Sequence, residues 1–195
     1  MDEFKNITRN DIEEKLTGEH LRINRIISLA LCAGPLFFLL VIVFLYQKNL
    51  SSNVEISQDN IVEEMIIVLS VLAVGVYSFY FIFPNIFLKK ANLVKQLSMP
   101  QMDKNNRLIT DPVLKIIALD RTLMIIRLAL LEGIALFSLV VLIQSLFIGV
   151  IYYNSNYWLL SIPVFIVIAV VFTNYFSKEK TVSRIESGIL YKLQD

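Results

Sequence analysis

Four runs of apolar residues, 26–46, 65–83, 128–151 and 158–176, constrain this chain more than anything else in it. A hydrocarbon core of ~30 Å takes about 20 helical residues to cross. Each run meets that length, and none alternates as a barrel strand would. With 56% of its 195 residues hydrophobic, the chain holds more apolar side chains than a soluble core of that size can bury. The expectation is an all-α, polytopic membrane fold with four transmembrane helices.

The first and third runs are related. Residues 22–45 read RINRIISLALCAGPLFFLLVIVFL, and residues 121–144 read RTLMIIRLALLEGIALFSLVVLIQ. Further on, FPNIFLK at 83–89 returns as FTNYFSK at 172–178. Leu and Ile matches carry little weight in so biased a composition. More informative are Arg22 with Arg121, Ala30-x-x-x-Gly34 with Ala129-x-x-x-Gly133, and Asn85 with Asn174. The copies point the same way, which predicts two parallel-repeated hairpins about a pseudo-twofold axis along the membrane normal. Small residues four apart let a second helix approach closely. Ala30, Gly34, Ala129 and Gly133 are therefore expected helix-packing positions, either between the first and third spans or between copies of the chain.

The net charge of +1 conceals an asymmetry. Of 18 basic residues, 17 lie in the N-terminal segment, the link between the second and third spans with its flanks, or the tail; Lys48 is the exception. Basic residues stay on the cytoplasmic side, so both termini are expected in the cytoplasm. Topology accounts for the basic clusters, and no nucleic-acid partner is implied. Cys32, the single cysteine, excludes an internal disulfide and any Cys-based metal site, and reads as a small residue packed inside a helix. About 25 polar residues precede the first span and argue against a cleaved signal peptide.

Local signals divide a single membrane domain over 1–195. Residues 1–21 form a cytoplasmic N-terminal segment, 22–97 the first hairpin, 98–111 a cytoplasmic loop, 112–177 the second hairpin and 178–195 a cytoplasmic tail. Asn10 or Asp11 is placed to cap a short helix. The apolar face of that helix, Ile12 and Leu16 with Ile23, suits a membrane surface, and Gly18 should interrupt it. Gly34-Pro35 predicts a kink in the first span. Asp111-Pro112 is a helix start, and the helix should run to about Ile151. The second span should continue through 89–97 until Met99-Pro100. These extensions of helices 2 and 3 are expected to pair as a cytoplasmic hairpin with its tip near 103–106. The outer loop at 47–60 shows no catalytic or metal pattern, and the aromatic turn at 152–158 suits the headgroup region.

Glu132 is the ionisable residue placed well inside an apolar run, where a charged carboxylate costs about 2.5–3.5 kcal/mol. It must face protein or water, or hold a proton. Asn85 and Asn174 each lie one turn inside a boundary lysine, Lys89 or Lys178, at a depth like that of Glu132 inside Arg127. The spacing predicts a polar intramembrane layer of Glu132, Asn85, Asn174 and Ser28, about 6–8 Å from the cytoplasmic interface. Three roles fit it: a hydrogen-bonded clasp, a proton- or cation-handling carboxylate, or a docking point for another subunit. Gln144 is expected to hydrogen-bond between helices, Arg127 to snorkel, and His20 to be solvated.

The stretch IIRLALLEGIALFSLVVL resembles a group of uncharacterised bacterial four-span membrane proteins, in which an "LAL-G" helix core is followed by a second copy reading "ALLEG". That resemblance implies topology and a bacterial inner-membrane location, and no activity. A looser likeness, around Glu132-Gly133-Ile134-Ala135-Leu136-Phe137, is to the proteolipid subunits of rotary ATPases. Proteolipids are glycine-rich, have short cytoplasmic loops and carry their carboxylate on the second helix of a hairpin, and this chain departs on each count.

No nucleophile–base pair, metal motif or phosphate loop is visible, which disfavours an enzyme and implies no cofactor or metal. The leading expectation is a non-catalytic integral membrane protein, an accessory or scaffold subunit partnered by the lipid bilayer and by copies of itself or other membrane subunits. The alternative is a small proton- or cation-coupled transporter or channel component using Glu132.

Overall fold

The computed structural model describes residue 4 and residues 6–49, 61–102 and 107–194. Most of the outer loop, 50–60, and the expected hairpin tip at 103–106 lie outside the described residues. Within them the chain is helical, apart from one isolated antiparallel bridge between Met102 and Leu108. The order is α1 (Arg9–Lys15), α2 (Gly18–Asn49), α3 (Ile61–Phe87), α4 (Lys90–Ser98), α5 (Pro112–Ile148), α6 (Ile162–Asn174), α7 (Lys178–Ile185) and α8 (Tyr191–Gln194). Four stretches are long and apolar enough to cross a membrane: α2, α3, α5, and Ser155–Asn174, where a 3-10 segment (Ser155–Ser161) runs into α6.

The chain divides into two compact units, each drawing on all four stretches. The first comprises Met1–Ser28, Tyr80–Arg127 and Phe172–Asp195, and the second Leu29–Phe79 and Leu128–Val171.

In the first unit α1 starts from a reciprocal cap. The Asp11 amide donates to Thr8 Oγ1 at 3.4 Å, and the Thr8 amide donates to Asp11 Oδ2 at 2.7 Å. Two orphan donors are thereby satisfied, so Thr8 is the cap rather than Asn10 or Asp11. Ile12 and Leu16 are fully buried in a core with Leu93, Leu97, Ile116 and Ile185. The apolar face of α1 is therefore spent on protein, not on a membrane surface. The chain breaks at Leu16 and Thr17, and Gly18 opens α2 instead of interrupting α1.

The expected continuous extension of the second span is also broken. α3 ends at Phe87, and α4 restarts after Lys89, whose ψ of 138° is not helical. Asn92 Nδ2 donates to the Ile86 carbonyl at 2.9 Å. A side chain thus satisfies one of the carbonyls that a helix end leaves unpaired. The turn carries Leu88 into the buried core. α4 stops before Met99-Pro100, as the proline requires. α5 starts where Asp111-Pro112 marks it: Asp111 Oδ1 accepts from the amides of Val113 at 2.9 Å and Leu114 at 3.4 Å.

In the second unit Val62 and Leu69 of α3 pack with Ile134 and Val141 of α5. α2 continues through Pro35. α5 stops at Ile148 rather than 151, because Gly149 takes a φ of 86°, a left-handed conformation natural to glycine. Beyond it Tyr46 stacks on Tyr152 at 5.0 Å and meets the edge of Trp158 at 5.2 Å.

Asp111 also pairs with Lys15, Nζ to Oδ2 at 2.9 Å. Burial works to raise its carboxyl, but the Lys15 hydrogen bond and the two amide bonds outweigh this and hold it below its ordinary value of 3.8. A depressed carboxyl contributes stability that is complete above its unfolded value and lost as the pH falls through its folded one. Asp111→Ala should cost about 1 kcal/mol or more near neutrality, and the loss should shrink below about pH 3.8. Thermal unfolding of both proteins across pH 2–7 checks this; a difference independent of pH would refute it.

Candidate functional site

A polar constellation lies inside the first unit and is built on α5. Asp120, Leu123, Met124 and Arg127 recur at i, i+3, i+4 and i+7, so they share one helix face. They form one wall of a cavity of 130 Å³. Tyr175, Arg184, Ser187 and Gly188 form another wall. The last two belong to a π-helical segment, Glu186–Leu190, inserted between α7 and α8. Such wider turns often mark functional sites.

Asp120 is 3% exposed. Both of its oxygens accept from Arg184, Oδ1 from Nε at 2.8 Å and Oδ2 from Nη2 at 2.7 Å. This two-point geometry is the strongest form of an arginine–carboxylate contact. Arg184 Nη1 donates in addition to the Asn174 carbonyl at 3.0 Å, and its guanidinium lies 4.7 Å from the ring centre of buried Tyr175. Burial disfavours the charge on Arg184, but the Asp120 carboxylate outweighs that and raises its pKa above the ordinary arginine value. Arg127 does not snorkel freely: its guanidinium sits 4.3 Å over the Tyr80 ring, with Nε buried and without a hydrogen-bond partner.

A second polar cluster in the same unit joins α2 to α5. Arg121 Nε donates to Asn24 Oδ1 at 2.8 Å, and Arg121 Nη2 lies 3.2 Å from His20 Nδ1. Arginine only donates, so Nδ1 is the acceptor and the ring proton sits on Nε2. His20 is thus half-buried against Arg121 rather than simply solvated. It borders a 270 Å³ cavity with Glu19 and Arg121. Asn24 is 2% exposed, and its backbone carbonyl accepts from buried Ser28 at 2.8 Å.

The residues of the expected polar layer fall in different surroundings. Ser28 is buried, bonded to its own helix and 3.7 Å from the Met124 sulfur. Asn85 and Asn174 are exposed, and Asn174 Nδ2 donates to Thr173 Oγ1 at 3.1 Å. These three belong to the first unit and Glu132 to the second. Glu132 is half-buried, and its Oε1 lies where a Cβ on Gly34 would come within 3.3 Å. The structure therefore brings Glu132 and Gly34 together. Ala30, Ala129 and Gly133 are exposed, with open space over Gly133. Cys32 is a free, buried thiol. Among the described residues no group of three His, Cys, Asp or Glu side chains could hold a metal ion.

No family model, curated protein or solved structure matches the chain. What its sites can do therefore rests on their own chemistry.

Asp120 went unmarked in the sequence, although a signal was present. It falls three or four residues from Ile116, Ile117, Leu123 and Met124, an acid in the middle of an apolar stripe. Its partner, 64 residues away, leaves no such local trace.

Removing one member of a buried pair leaves the other charge uncompensated, at about 3–5 kcal/mol. Asp120→Asn should therefore destabilise the protein strongly. The double variant Asp120→Leu with Arg184→Met should recover most of the loss. Chemical unfolding in detergent measures both, and additive losses in the double variant would show that the two residues do not act as a pair.

Proposed function

We propose that this chain is a non-catalytic integral membrane protein, an accessory or scaffold subunit of a membrane assembly. In this reading the four apolar stretches cross the inner membrane of a bacterium as two parallel-repeated hairpins, as in the four-span proteins that the "ALLEG" stretch resembles. Both termini and the helices continuing the second and third spans lie on the basic, cytoplasmic side.

The observation that carries the reading is the Ala129–Gly133 groove on α5, exposed and with nothing within 4 Å of the position a Gly133 side chain would take. Small residues four apart drive close helix association in lipid, where burial of apolar surface alone does not. A helix from a second copy or another subunit fits this surface.

A second reading, a proton- or cation-coupled transporter component, is favoured by Glu132. Its carboxylate packs across Gly34, and among the described residues it makes no hydrogen bond or ion pair. An intramembrane acid left without a protein partner is suited to exchanging a proton.

The two separate experimentally. Gly133→Leu should dissociate the assembly, read as a lower mass of the complex purified in mild detergent, while the chain stays folded; an unchanged mass removes the scaffold reading. Glu132→Gln should leave that mass intact and abolish any pH-driven flux in proteoliposomes. Absence of flux from wild type under every gradient removes the transporter reading.

A further inference from the structure

The cavity between α5 and the π-helical segment holds more donors than its own residues can use. Arg184 spends three nitrogens on Asp120 and on the Asn174 carbonyl. Arg127 is different. Tyr80 holds its plane at 4.3 Å, yet its buried Nε has no acceptor. A charged donor left buried and unpaired costs more than an ordinary lost hydrogen bond, so something complementary belongs beside it. With two guanidinium groups and one carboxylate on the walls, the lining carries an excess of positive charge, which an anion complements.

Space and position narrow the anion further. At 130 Å³ the cavity far exceeds the ~10–15 Å³ that one water needs, and admits a group of several heavy atoms. Arg127 directly precedes the apolar run 128–151, and Tyr175 lies at the end of the run 158–176. In a chain crossing a bilayer, both then stand at headgroup level. Arginine forks match phosphate oxygens in pairs, and basic pockets at this level are where anionic lipid headgroups bind.

We propose that this cavity binds a phosphate-bearing anion, with Arg127 as its donor and Arg184, fixed by Asp120, as a second positive charge beside it. The phosphate comes either from a lipid headgroup or from solution. The site depends on the four stretches crossing a membrane, and not on the scaffold role.

Thermal unfolding of the full chain in a neutral detergent tests it, with phosphatidylglycerol, diacylglycerol, or inorganic phosphate against chloride at equal ionic strength. Near a hundredfold excess over Kd the midpoint should rise by roughly 5 °C or more, and diacylglycerol should give no rise. A response to phosphatidylglycerol alone identifies a lipid headgroup, and a response to inorganic phosphate identifies a soluble anion. Arg127→Gln should remove the rise and Arg127→Lys should keep part of it. Should Arg127→Gln fail to fold, Ser187→Glu decides, since it places a negative charge on the cavity wall at an exposed position. No rise with either phosphate source in wild type overturns the proposal. So does an undiminished rise in Arg127→Gln or Ser187→Glu.

Discussion

A backbone amide or carbonyl in hydrocarbon has no water to bond, so a stretch that crosses a membrane must satisfy its polar groups internally. Four stretches of this chain are long and apolar enough to cross one. The four apolar stretches are helical throughout, including α2 at Pro35. Among the described residues, departures from the α-helix lie at or beyond the ends of these stretches: the break after Phe87, the left-handed Gly149, the 3-10 segments Val150–Tyr152 and Ser155–Ser161, and the π-helical segment in the tail. Where a helix does end, a side chain often closes it, as Asn92 does for the Ile86 carbonyl and Asp111 for the amides of Val113 and Leu114.

The first unit is organised differently from an apolar span. Its core of leucine, isoleucine and valine from α1, α4, α5 and α7 resembles the inside of a small soluble domain. Within that core sit the Asp120–Arg184 pair and the Arg121–Asn24 contact. Buried pairs of this kind add little net stability over a well-packed apolar core. Breaking such a pair from one side strands a buried charge. Asp120 ties Arg184 of α7 to α5, and the π-helical segment that follows puts Ser187 and Gly188 on the cavity wall.

The parts legible in sequence were those governed by short-range rules. The four apolar stretches, the Asp111-Pro112 start and the Met99-Pro100 stop follow from length, caps and proline geometry. The cap at Thr8 escaped because Asn10 and Asp11 are equally good caps when read singly; only the reciprocal bond between Thr8 and Asp11 distinguishes them. Ile12 and Leu16 read as a membrane-surface face because periodicity shows that a stripe is buried without showing against what. The interruption at Leu88 and Lys89 and the Asp120–Arg184 pair depend on contacts between distant segments, which no local pattern encodes.

α5 carries two acids among apolar neighbours, and they are treated in opposite ways. Asp120 is enclosed and matched atom for atom by a guanidinium. Glu132 is half-buried, and what it meets is the bare backbone face of Gly34. A glycine there admits the carboxylate where a larger residue would push it away, yet it offers no side-chain donor.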